Sequence, residues 1–99
     1  MVFITQLVYI HAGQEAVFDA FEAVAIPLID KHGGELLLRL RPTQGNVVAG
    51  SMDLPYEIHL VRFPDDEAFA RFASDEERGR FLHLKSAAMK SSLLVRGVV

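Results

Sequence analysis

Apolar and polar positions change period several times along this chain, and each change marks the edge of an element. Residues 2–10 alternate with two apolar faces, Val2, Ile4, Gln6, Val8 and Ile10 against Phe3, Thr5, Leu7 and Tyr9, which predicts a strand packed on both sides. From Gln14 to His32 the period lengthens to that of a helix, with Val17, Phe21, Val24 and Leu28 on one stripe and Glu15, Asp19 and Glu22 on another. Carried forward, the acidic stripe reaches Ile26 and Ile29, so the outer face is expected to turn apolar. Pro27 lacks a donor and predicts a bend, and Gly33 supplies a left-handed stop after Lys31 and His32.

Glu35 to Pro42 returns to strict alternation, Leu36, Leu38 and Leu40 against Glu35, Leu37, Arg39 and Arg41, predicting a strand with one core face. Residues 43–55 form a long, Gly- and Pro-containing connection in which Val47, Val48 and Ala49 are expected to pair as a short extra strand, and which would serve as a lid or in association. Tyr56 to Phe63 then reads as a strand, with Ile58 and Leu60 opposing Glu57, His59, Val61 and Phe63. Pro64 and Asp65 open a helix containing Ala68, Phe69, Phe72 and Ala73, and Ser74 with Glu77 has capping-box spacing, predicting a break and a restart to about Lys90. Ser92 to Val99 is the last strand.

The order β-α-β-β-α-β over residues 1–99 makes one α+β domain. Two right-handed β-α-β halves give a ferredoxin-like four-stranded antiparallel sheet with helices on one face. The other face is expected to carry Arg39, His59, Val61, Phe63, Arg96 and one side of the first strand, and to be covered by a second copy of the chain.

Composition narrows the partners. An apolar fraction of 51% is high for a 99-residue chain and agrees with an interface that hides the excess. A net charge of −3 without a basic stripe argues against nucleic acid. The apolar N-terminal run is too short and too polar at Thr5 and Gln6 for a membrane span or signal peptide. With no cysteine, neither disulfides nor thiolate metal sites arise, and a cytoplasmic location is expected.

The stretches IPLIDKHGGELLLR (Ile26 to Arg39), EIHLVRFPDDEAFARF (Glu57 to Phe72) and SDEER (Ser74 to Arg78) resemble the dimeric α+β barrel superfamily, in particular its small uncharacterised bacterial branch related to antibiotic-biosynthesis-type monooxygenases. That resemblance implies a homodimer with facing sheets and small-molecule pockets between sheet and helices. The cofactor-free monooxygenases hold aromatic substrates with Trp, Asn, Tyr and Arg, whereas this chain has no Trp and its one Asn is Asn46. Haem-degrading relatives add a helical histidine to Asn and Trp, and here only His83 sits in a comparable place.

The candidate chemistry rests on His59, Arg39 and Tyr9 as catalytic or positioning groups in an otherwise apolar pocket. The plainer reading of His59 is a fixed hydrogen bond within the sheet. Arg39, Arg41 and Arg62 are expected to pair across strands with Glu35 or Glu57, and His32 to meet the carbonyls at its helix end. The four histidines lie about twenty or more residues apart with no ligand motif, so neither metal nor cofactor is expected. Two functions follow: binding or transformation of an apolar small metabolite, monooxygenase-like or isomerase-like, or a non-catalytic dimeric binding or structural module.

Overall fold

Antiparallel pairing joins four strands in the order β2-β3-β1-β4, where β1 is Val2–Ile10, β2 Glu35–Leu40, β3 Glu57–Phe63 and β4 Met89–Val98. The computed structural model describes residues 1–98. Helix α1 (Glu15–Lys31) crosses from β1 to β2, while α2 (Asp66–Ala73), α3 (Glu76–Arg80) and α4 (Leu82–Ala88) cross from β3 to β4. This is the ferredoxin-like arrangement, with β1 and β3 central. Val99 lies outside the described residues.

Several local signals act as expected. Asp65 caps α2 through its side chain, which accepts from the Ala68 N–H at 2.8 Å. At the end of α1, the Gly33 and Gly34 N–H groups donate to Asp30 and Ile29 with Gly33 at φ 78°, a Schellman closure. The break after α2 differs from the capping-box reading. Asp75, not Ser74, caps α3, accepting from the Glu77 and Arg78 N–H groups, while the Ser74 hydroxyl donates back to the Ala70 carbonyl. The restart is split into α3 and α4, and β4 already begins at Met89. Val47, Val48 and Ala49 form no strand; Val48 is 99% exposed, and the connection holds only a 3₁₀ turn over Gln44–Asn46.

The faces are assigned differently from the expectation. Glu57, His59, Val61 and Phe63 are all buried under the helices, and register aligns them with Val8, Gln6, Ile4 and Val2 of β1. Arg96 pairs in register with Ile4 and binds Asp66 of α2 at 2.6 Å, so it too is on the helix side. The cause lies in Phe63, which packs against Phe69 and Phe72 of α2 and fixes the phase of the whole strand. The open face carries Phe3, Thr5, Leu7, Ile58, Leu60 and Val95 instead.

In β2 the alternation is broken between Leu36 and Leu38. Leu36 aligns with Val61 on the helix side, but Leu38 and Leu40 align with Leu60 and Ile58 on the open side, and Arg39 aligns with His59. The extra residue of a bulge thus exchanges the two faces of the strand midway. Along α1 the buried positions are Phe18, Phe21, Glu22, Ala25, Leu28 and Ile29, so the true core stripe is displaced from the expected one. Ile29 faces the core and Glu22 is inside it.

Among the glycines, Gly34 is the most closely packed: a Cβ there would lie 2.6 Å from Phe63 Cε1 and 2.9 Å from Ile29 Cγ2. Phe63 is 1% exposed and cannot swing away. Gly34→Ala is therefore expected to destabilise the protein by about 1–3 kcal/mol, read as a lowered urea midpoint at unchanged slope; an unaltered midpoint would contradict this packing.

Candidate functional site

The apolar core is divided into two clusters, one around Ile29, Val61, Phe63 and Ala68, the other around Val8, Phe18 and Ala88. Between them β3 and α1 place three ionisable side chains under the helices. Glu57 is wholly buried, and His59 and Glu22 are each 7% exposed. Alternation along β3 puts Glu57 and His59 side by side on one face, and Glu22 projects toward them from the middle of the α1 core stripe.

His59 Nε2 is hydrogen-bonded to Glu57 Oε2 and stands 3.7 Å from Glu22 Oε2. The second Glu57 oxygen accepts from Arg41 Nε at 3.0 Å and lies 3.0 Å from Arg39 Nε. Arg41 continues outward to Asp19, whose carboxylate also accepts from the Tyr56 hydroxyl at 2.9 Å. A buried carboxylate is thus compensated by two guanidiniums and an imidazole.

The two acids are pushed apart. Burial alone would raise the pKa of Glu57, but the bonds from His59 and Arg41 and the nearby positive charges outweigh it and lower it. For Glu22 burial dominates, reinforced by the charge of Glu57, and its pKa is raised despite the opposing charges of His59, Arg39 and Arg78. One carboxyl is held ionised and the other is made reluctant to ionise, the pattern by which a pair of acids takes different roles.

Glu22 and His59 line a cavity of about 120 Å³ between the sheet and the helices, and Gln6, paired in register with His59, lies beside them. Moving along β3 the walls become apolar, with Val61, Phe63, Phe69 and Phe72. Arg78 of α3 and Lys85 of α4 complete the polar part. The carboxylate and imidazole atoms of Glu22, Glu57 and His59 lie within 4.8 Å of one another. Glu57's oxygens already serve two guanidiniums and His59, so this donor set does not suit a resident cation.

Of the sequence candidates, His59 and Arg39 are brought together through Glu57, and Tyr9 is not. Tyr9 follows the open-face parity of β1, and its hydroxyl donates to the Asp53 carbonyl at 2.8 Å, in a separate depression with Arg41, Pro55 and Tyr56. The expected cross-strand pairing holds for Arg62 with Glu35 and for Arg39 and Arg41 with Glu57. His32 does not turn to its helix end: Nε2 meets Asp75 Oδ2 at 2.7 Å, and Lys31 Nζ meets the same oxygen at 2.8 Å. Those bonds hold the Asp75 carboxyl well below the usual range and tie the start of α3, and with it Arg78, to the end of α1. His11 and His83 are exposed.

Glu22 was legible in principle, since positions 18, 22, 25 and 29 make a regular helical stripe with a single acid in it. Arg78 and Lys85 carried no comparable signal, because their convergence depends on how α3 and α4 are split.

Two opposite pH signatures follow from the two acids. Glu57, with its pKa lowered in the folded state, contributes stability present above the unfolded carboxylate value and lost as pH falls through the folded one; Glu22, with its pKa raised, costs stability as pH rises past the unfolded value. Glu22→Gln is expected to stabilise the protein by about 1 kcal/mol at pH 7.5, with the gain fading near pH 4. Glu57→Gln should cost about 3 kcal/mol by stranding its cations. Urea unfolding at both pH values checks the signs, and a destabilised Glu22→Gln at pH 7.5 would refute the assignment.

No family model matches this chain, and no curated protein matches it. Solved structures do. A protein of unknown function from Rhodopseudomonas palustris is similar with TM-score 0.83 at 15% identity over 97% of this chain and 79% of that one. A dabb family protein with a ferredoxin-like fold from Mesorhizobium loti reaches 0.68 at 16% identity, covering 99% and 95% of the two chains. A dimeric protein of unknown function with a ferredoxin-like fold from Bacteroides fragilis reaches 0.74 at 10% identity over 99% and 95%. At such identities the likeness is one of fold, and the fold it establishes for this chain is ferredoxin-like.

Proposed function

We propose that this chain is a small homodimeric enzyme that binds a largely apolar metabolite between sheet and helices and moves a proton on it, an isomerase-like chemistry. The observation that carries the reading is the line Glu57, His59, Glu22 ending at a mostly apolar cavity. Glu22 is the group that takes and returns the proton, because its carboxyl faces the cavity and burial raises its pKa. His59, hydrogen-bonded to Glu57 and 3.7 Å from Glu22, stands between the two acids. Arg39 and Arg41 act one step further back by holding Glu57 ionised. The chain has no Trp, and its one Asn, Asn46, lies in the 43–55 connection and not among the residues lining the cavity, which favours proton transfer over oxygenation. A cytoplasmic location, where such metabolites are found, goes with this reading.

The experiment is solvent-deuterium exchange followed by NMR on a panel of small carbonyl compounds with branched or aryl bodies. Exchange beside the carbonyl is expected with the native protein and should fall at least about 100-fold in Glu22→Gln. Exchange undiminished in that variant, or none above background with any compound, would overturn the proposal; oxygen uptake in its place would turn it toward the monooxygenase-like alternative.

The homodimer is supported by the open sheet face. Leu38, Leu93 and Val95 are each about half exposed, next to Leu7, Ile58 and Leu60, a contiguous apolar surface of the kind that marks an interface. The Bacteroides fragilis neighbour is described as dimeric. Light scattering at micromolar concentration should give twice the 11.0 kDa chain mass, and Leu60→Lys should return it to the monomer; a native monomer would refute the interface.

A further inference from the structure

The cavity contains two cations that the proton-transfer chemistry does not use. Arg78 lies with its guanidinium 5.6 Å from the Phe21 ring centre and 5.3 Å from that of Phe72. One terminal nitrogen donates to the Ala73 carbonyl at 3.0 Å, but the buried Nε has no hydrogen-bond partner. Lys85 lines the same cavity from α4. Among the described residues, neither has a carboxylate within ion-pair distance, in contrast to Arg39, Arg41, Arg62 and Arg96.

Partly buried cations without a counter-ion are costly. Burial lowers the pKa of both, and the charge of Arg78 lowers that of Lys85 further. Glu22 contributes an opposing charge to both, but burial outweighs it for each cation. A fixed positive site opening on an apolar cavity is a complement to an organic anion: the two cations meet the head group, and the phenylalanines meet its body.

Resting on the reading above, we infer that the ligand of this cavity is a small monocarboxylate with a branched-aliphatic or aryl body, its carboxylate seated between Arg78 and Lys85. The size follows from the cavity. About 120 Å³ compares with the roughly 150 Å³ apolar cavity that holds benzene, so the body is limited to about one ring or a short branched chain. A second charged group would have to sit among the apolar walls of Val61, Phe63, Phe69 and Phe72, which offer it no counter-ion.

The test compares benzoate and isovalerate with benzamide and isovaleramide, which match them in shape and lack the charge, by NMR shift titration of the full chain. The carboxylates are expected to bind at least about tenfold more tightly than their amides, an advantage that Arg78→Gln removes and Lys85→Met reduces severalfold. Circular dichroism and thermal unfolding establish that each variant is folded; Lys85→Met keeps the apolar stem and leaves the Asp75-capped α3 untouched, so it serves if Arg78→Gln does not fold. Equal binding of carboxylates and amides, or carboxylate binding that survives both substitutions, would overturn the anion assignment while leaving the cavity as a binding site. Binding of neither class would overturn both.

Discussion

Everything near the centre of this protein is arranged around one fully buried carboxylate. Glu57 sits on a central strand where its own register partner on β1 is the wholly buried Val8, a place where an apolar residue would cost nothing. Keeping it charged there needs His59 on its own strand, Arg39 of β2 and Arg41 just beyond the end of β2. Remove the acid and three positive or potentially positive groups lose their reason for converging. The site is therefore a product of compensation: the buried Glu57 draws a buried imidazole and two partly exposed guanidiniums to it.

The division of the apolar core into two clusters follows from that arrangement. One cluster closes the end of the sheet near Phe63 and α2, the other the end near Val8, Phe18 and α4. Apolar packing at both ends supplies the stability from which the polar middle detracts, and it also sets the geometry, since α1 spans both clusters and carries Glu22 between Phe21 and Ala25. The Asp75 bonds to Lys31 and His32 perform the same service for α3.

The order of elements, the Asp65 cap and the Gly33 closure were all readable from spacing and turn chemistry. Which face of the sheet is covered was not. Period-two alternation states that Glu57, His59, Val61 and Phe63 share a side, but both sides of β3 contain apolar residues, and only the fit of Phe63 against α2 decides between them. The pairing of arginines with Glu57 was legible because complementary charge is a strong local rule; the participation of Glu22 was hidden by a stripe displaced by one position. Tyr9 was grouped with His59 as a polar strand residue, and strand parity sends the two to opposite sides of the sheet.

The β2 bulge ties two properties that would otherwise be separate. By exchanging the faces of the strand after Leu36, it delivers Arg39 toward His59 and at the same moment turns Leu38 and Leu40 outward. The same single backbone irregularity thus sets both the charge balance of the interior and the greasiness of the exterior. Deleting the extra residue would invert both in one step, with no intermediate in which only one of them changes.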